Sequence, residues 1–110
     1  MKVQNPEDVK GIEMQKCFVR RMASGEKMEV AYIRVPPGVE MSPHPHPGEC
    51  IGYSLSGQLE LYTDKHPEKV VVKAGSAQLF EPNEVVGGRN PGETPAEFLC
   101  IETKKSCYQK

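Results

Sequence analysis

The chain reads as an all-β protein, a sandwich or barrel of short antiparallel strands. Ten glycines and ten prolines in 110 residues stand as punctuation between short runs rich in β-branched and aromatic residues. Within those runs apolar and polar residues tend to alternate, the two-residue period of a strand with one buried face. The connections carry turn chemistry at Ser24-Gly25, Pro36-Pro37-Gly38, Pro47-Gly48, Ser56-Gly57, Ala74-Gly75, Pro82-Asn83 and Asn90-Pro91-Gly92.

Taken in order, the runs predict strands at Cys17–Met22, Met28–Val35, Glu40–His46, Cys50–Leu55, Gln58–Tyr62, Val70–Lys73, Ala77–Phe80, Val85–Asn90 and Ala96–Thr103. Only Pro6–Met14 admits a helical turn, with Asn5 as N-cap and Pro6 at the first helical position. The length suits one domain over 1–110, with a core at 17–103, an N-terminal arm at 1–16 and a polar tail at 104–110 that is expected to fray. The run from Cys50 sets Cys50, Gly52 and Ser54 on one face and Ile51, Tyr53 and Leu55 on the other. If the small face points inward, the barrel keeps room for a ligand. The alternative is a core of Ile51, Tyr53 and Leu55 with the small face in solvent. Cysteine is rarely an exposed residue, which favours the first arrangement.

Composition removes several classes of function. Fourteen Lys and Arg against fifteen Asp and Glu leave no basic footprint for nucleic acid. No membrane-length apolar run is present, and the first residues lack the apolar region of a signal peptide, so a cytoplasmic location is expected. Cys17, Cys50, Cys100 and Cys107 are then expected to stay reduced; no CxxC pair suggests a zinc ribbon or thioredoxin motif. Cys17 and Cys100 read as core or inter-sheet residues, and Cys107 as a tail thiol with no evident role.

The chemistry-bearing stretch is Pro43-His44-Pro45-His46-Pro47-Gly48-Glu49-Cys50, which holds two of the three histidines. In a strand His44 and His46 share a face, and the flanking prolines stiffen the segment. Two imidazoles side by side followed by a carboxylate and a thiol are the makings of a metal site. Against this stand plainer roles: histidines as polar lining, and Cys50 as a small buried apolar residue. His66 sits in a turn and is read as solvated. Arg34, Arg89, Tyr53 and Tyr62 are read mainly as solvated or packing residues.

These residues resemble the cupins. Gly38, His44, His46 and Gly57 fall on the first cupin motif; Gly75 and Asn90 fit the second, with Pro82 one place late. The likeness is greatest to small single-domain cupins that hold manganese with four histidines. It implies a double-stranded β-helix, a jelly-roll-like barrel of two antiparallel sheets. It also implies a homodimer in which N-terminal strands pack across the interface. The four ligand positions of that subgroup fall on His44, His46, Cys50 and Val86, so one imidazole is exchanged for a thiol and another is lost. Thiol dioxygenases of the superfamily carry a cysteine near the Cys50 position but keep three histidines.

The metal ligands expected are therefore His44 and His46, with the third ranked as Cys50, then Glu49, then Glu84. Gly52, Ser54, Val86 and Glu84 are expected to line the pocket. A divalent metal is expected (manganese, iron, copper, nickel or zinc), the His-His-Cys set suiting zinc or copper best. The first functional reading is a dioxygenase-like oxidoreductase acting on a small molecule. The alternative is a metal-free binding or regulatory module with a vestigial site, and a third possibility is a thiol-based redox role for Cys50.

Overall fold

The computed structural model describes residues 1–104, so Cys107 and the rest of the tail from 105 onward lie outside the described residues. Ten strands are formed among the described residues: β1 (Ile12–Met14), β2 (Cys17–Ser24), β3 (Met28–Val35), β4 (Glu40–Pro45), β5 (Cys50–Ser56), β6 (Gln58–Thr63), β7 (Val70–Lys73), β8 (Ala77–Phe80), β9 (Val85–Arg89) and β10 (Ala96–Thr103). They build a six-stranded sheet in the order β1-β2-β3-β10-β5-β8 and a four-stranded sheet in the order β4-β9-β6-β7. Every pairing is antiparallel. The two sheets form the jelly-roll barrel of a double-stranded β-helix.

The expected helical turn forms over Pro6–Asp8 as one turn of 3-10 helix, with Asn5 in the N-cap position and Pro6 leading it, although Asn5 makes no side-chain cap bond. The rest of that segment needs correcting. Ile12–Met14 is a strand, not helix: it pairs with β2 of its own chain, Ile12 opposite Val19. The reversal between β1 and β2 runs through Gln15 and Lys16, both at positive φ, a turn with none of the usual Gly or Asn signals.

The alternation of β5 resolves as the small-face-inward reading proposed. Cys50, Gly52 and Ser54 are buried, while Ile51, Tyr53 and Leu55 are exposed. Because β5 lies between β10 and β8, this parity propagates across the sheet. Phe80, Cys50 and Glu102 form one inward row; Gln78, Gly52 and Cys100 form the next.

The chain crosses from the large sheet to the small one at Gly57, between β5 and β6. Gly57 has φ +72°, and a Cβ there would stand 2.6 Å from the Pro95 carbonyl oxygen and 2.8 Å from Ala96 Cα. Only glycine satisfies both demands.

One end of the barrel is solid. Cys17, Val35, Leu59, Val72 and Ala96 form its buried core, with Ile33, Val39, Met41, Leu61 and Phe98 packed against them. Asn90, wholly buried, ties this end together. Its Nδ2 donates to the carbonyls of Val35 (2.9 Å) and Thr94 (2.8 Å), and its Oδ1 accepts from Gly92 N (2.9 Å). A fully buried amide keeps its place only with such partners. The opposite end stays open, and the histidine segment sits there.

Candidate metal centre

A cavity of about 130 Å³ continues from the packed core toward the open end, lined by Ile33, Met41, His44, His46, Cys50, Gly52, Leu59, Leu61, Gln78, Phe80, Val86, Gly87, Phe98 and Cys100. Among the described residues no Lys, Arg, Asp or Glu belongs to this wall. The polar groups are two imidazoles, two thiols and one amide.

β4 ends at Pro45, so His46 lies just past the strand, not within it as expected. Proline on either side withholds the donors a ladder needs. The Asn83 N–H donating to the His46 carbonyl at 2.8 Å holds that segment instead. A register irregularity between Met41 and His44 marks the β4–β9 pairing. The two rings still meet, their centroids 4.9 Å apart.

Each ring uses one nitrogen in a hydrogen bond. His44 Nδ1 lies 3.0 Å from the Ser42 carbonyl oxygen, which can only accept, so Nδ1 carries the hydrogen and Nε2 is left bare. His46 Nδ1 lies 2.9 Å from Glu102 Oε2, which leaves its Nε2 as the free nitrogen. A carboxylate behind a histidine is the arrangement that fixes ring orientation and raises donor strength at metal sites. The bond to Glu102 raises the His46 pKa above its ordinary value, partly offset by burial. The same bond holds the Glu102 carboxyl below its usual range.

Across the cavity the thiols of Cys50 and Cys100 stand 3.2 Å apart, both buried. The contact splits their acidities. The hydrogen bond with Cys100 lowers the Cys50 pKa against the opposing effect of burial, whereas that bond and burial push Cys100 strongly upward. Either sulfur can donate in this contact, and the one that accepts is the one favoured as thiolate. The donor atoms of His46, Cys50 and Cys100 all lie within 4.8 Å of one another. His44 stands outside that trio but lines the same cavity.

The sequence-predicted residues divide as follows. His44, His46, Cys50, Gly52 and Val86 line the cavity. Val86 occupies the register position directly opposite His44, where the resemblance puts the fourth histidine. Glu49 is exposed and absent from the wall; its carbonyl accepts from Thr103 N at 3.2 Å. Glu84 is buried but committed elsewhere, Thr63 Oγ1 donating to its Oε2 at 2.6 Å and Glu81 N to its Oε1 at 2.9 Å. It closes the turn ahead of β9 rather than lining the cavity. Ser54 shares the inward face of β5 but lies beyond the lining. Of the plainer readings, His66 is exposed, and Arg89 bonds Glu60 at 3.2 Å.

Cys100 and Glu102 are the candidate site residues that sequence reasoning did not place there. Ala96, Phe98, Cys100 and Glu102 share the inward face of β10. A glutamate at the end of a buried face is an anomaly visible in the sequence. Its partner, fifty-six residues away, is not.

The donor set also tests which metal fits. Two thiols and one imidazole, with a second imidazole beside them and no carboxylate in the wall, match zinc or copper(I); manganese prefers oxygen donors. Around one zinc, ligand atoms stand roughly 3.5–3.8 Å apart, so the two sulfurs, now 3.2 Å apart, would spread slightly while the widest pair of the trio draws in from within 4.8 Å.

Residues 31–102 match the family described as Cupin domain, and the chain belongs to that family. No curated protein sequence matches it. Among solved structures, an RmlC-like cupin from Shewanella frigidimarina aligns with TM-score 0.84 at 14% identity, over 99% of this chain and 96% of that one. The polyketide cyclase RemF from Streptomyces resistomycificus aligns with TM-score 0.82 at 21% identity, over 94% and 79%. A predicted oxalate decarboxylase from Thermotoga maritima aligns with TM-score 0.81 at 23% identity, over 93% and 98%. At these identities the likeness shows the fold. Among the described residues no helix is long and apolar enough to cross a membrane.

Proposed function

We propose that this cupin binds a soft or borderline metal ion through His46, Cys50 and Cys100, with His44 alongside, and acts on a small uncharged organic molecule held in the barrel. The observation that carries the reading is the convergence of that trio within 4.8 Å in an otherwise apolar cavity. Bound there, zinc would supply Lewis-acid polarisation of an oxygen.

The protein's own groups divide the remaining work. Glu102 orients His46. Gln78 Nε2, buried without a protein partner, is a donor in the wall for a carbonyl or hydroxyl oxygen. His44, exposed at the cavity edge with Nε2 bare, is placed to move a proton. Apolar walls exclude water and select the ligand's body. At about 130 Å³ the space is below the roughly 300–1,000 Å³ of pockets for drug-sized ligands, which points to a compact molecule.

The absence of Arg or Lys from the wall bears on what the structural neighbours suggest. A dicarboxylate such as oxalate would meet no Arg or Lys, and a divalent ion already balanced by two thiolates would offer it little further countercharge, whereas a neutral carbonyl compound of the polyketide kind would meet apolar contacts and one amide. The donor set likewise favours Lewis-acid chemistry with zinc over the dioxygenase-like oxidation implied by resemblance. Copper in the same trio would restore the oxidative reading.

Cobalt(II) substitution tests the site. A thiolate-to-cobalt charge-transfer band that shifts on adding acetylacetone, a neutral enolisable probe, supports both ligands and substrate class. No such band in reconstituted protein removes the thiolates from the proposal.

Val86 and the apolar lining favour a second reading, a metal-free small-molecule binding module. That module would show a ligand-dependent rise in Tm that chelator leaves unchanged.

The homodimer also finds support. On the outer face of the large sheet Val30, Ile101, Ile51 and Leu79 align in one row, and Tyr32, Leu99, Tyr53 and Ala77 in the next. Leu79 is 64% exposed and Ile51 42%. An uncharged patch of this kind is self-complementary and suits a second copy of the chain. The free thiols of Cys17, Cys50 and Cys100 fit a reducing compartment such as the cytoplasm.

A further inference from the structure

The geometry points to a modification site at the same place: Cys50 and Cys100 form a reversible intramolecular disulfide when a peroxide enters the cavity. Three observations carry it. The sulfurs stand 3.2 Å apart, so closing to a bond of about 2.0 Å brings them about 1.2 Å nearer, by side-chain rotation together with a small approach of the two strands, since diagonal partners start roughly 7–8 Å apart. They sit diagonally on neighbouring antiparallel strands, Cys50 opposite Glu102 and Cys100 opposite Gly52. Gly52 leaves no side chain beside Cys100 to block the swing. Both sulfurs border a cavity of about 130 Å³ whose lining includes the exposed His44, space enough for a neutral molecule the size of hydrogen peroxide.

The chemistry balances with hydrogen peroxide as the oxidant. One thiolate sulfur attacks a peroxide oxygen, the O–O bond breaks, and hydroxide leaves to take a proton as water. The resulting sulfenic acid is attacked by the second sulfur, the S–S bond forms, and the S–O bond breaks with loss of a second water. Two thiols give up two electrons, and one peroxide is reduced to two waters. A dithiol reductant reverses the change by exchange.

The 3.2 Å separation lies between the two states the pair would occupy. A disulfide draws the sulfurs to about 2.0 Å, while two thiolates on one tetrahedral zinc stand roughly 3.8 Å apart. Disulfide formation stands without any metal; only the further consequence, that oxidation removes two ligands and releases zinc, rests on the function proposed above.

The test uses the full chain, reduced, freed of metal by chelator and treated with hydrogen peroxide, followed by intact mass and non-reduced peptide mapping. The expected result is loss of two hydrogens and a Cys50–Cys100 linked peptide that dithiothreitol separates. Cys17, packed in the core cluster, should remain a thiol. In Cys100→Ser the link should vanish and a sulfenic acid on Cys50 should become trappable by dimedone. Two free thiols after treatment, a link through Cys107, or sulfinic acid on Cys50 of the parent overturns the inference. Zinc retained by a parent that forms no link sinks this inference alone. A link in a protein that takes up no zinc sustains it and sinks the metal reading instead.

Discussion

Replacing Glu102 isolates the part of the site that the sequence concealed. Its Oε2 lies 2.9 Å from His46 Nδ1, with about a quarter of each side chain exposed (24% for His46 and 26% for Glu102). That is a charge-assisted contact in a partly desolvated setting. Removing an outer carboxylate of this kind typically weakens metal binding about 10–100-fold, which corresponds to about 1.4–2.7 kcal/mol. Glu102→Ala should therefore raise the zinc Kd by that factor above neutral pH, measured by competition with a chelating indicator. The pH profile carries a second signature. Zinc must displace the proton from His46, whose pKa is raised by Glu102, so binding weakens as pH falls through that raised value. Without the carboxylate the His46 pKa drops, proton competition eases, and the gap between variant and parent narrows toward acid. Glu102→Gln, which keeps a hydrogen-bonding group without its charge, should lie between the two. An unchanged Kd across the whole pH range in Glu102→Ala would refute the claim that His46 is a ligand held by Glu102.

Further outcomes follow from the same geometry. The His46–Glu102 pair makes stability of the metal-free protein depend on pH in two opposite senses. The raised pKa of His46 contributes stability that is complete below its unfolded value and lost as pH rises through the folded one. The depressed pKa of Glu102 contributes stability present above its unfolded value and lost as pH falls through the folded one. Urea midpoints should accordingly peak in the mildly acidic window between them, and Glu102→Gln should flatten that peak. Asn90→Ala removes three hydrogen bonds at a fully buried site and should cost about 2–4 kcal/mol in urea unfolding. A Cys50–Cys100 disulfide closes a loop spanning fifty residues, so oxidised protein should unfold at higher urea, by up to about 4 kcal/mol on chain-entropy grounds. Ile51→Lys with Leu79→Lys should turn a dimer into a monomer in sedimentation; a parent that is itself monomeric contradicts the dimer proposal.

The strands were legible because each half-buried run carries its own alternation, and because turn residues such as Gly57 meet demands that few others can. β1 was not. Its three residues are all exposed, so no burial pattern marks them, and the turn beyond runs through Gln15 and Lys16 without glycine. In the site, His44, His46 and Cys50 were readable from local spacing, and the loss of an imidazole at Val86 from the motif frame. Glu49 attracted attention by its place in the chain, yet it alternates outward beside the inward Cys50. Glu84 lies two residues before Val86, but one of its oxygens accepts from Glu81 N in the turn and the other from Thr63 Oγ1 on β6. Cys100 and Glu102 depend on the β5–β10 register, which brings residues about fifty apart into contact. No local window contains that information.

Metal content by elemental mass spectrometry, on untagged parent protein beside Cys50→Ser/Cys100→Ser and His46→Ala, tests the centre itself. The account predicts near-stoichiometric zinc, or copper, in the parent and its loss from both variants, with the urea midpoint of the metal-free proteins showing that each remains folded. A parent that takes up no metal after reconstitution with zinc and copper, or variants that keep the parent's metal, would contradict it.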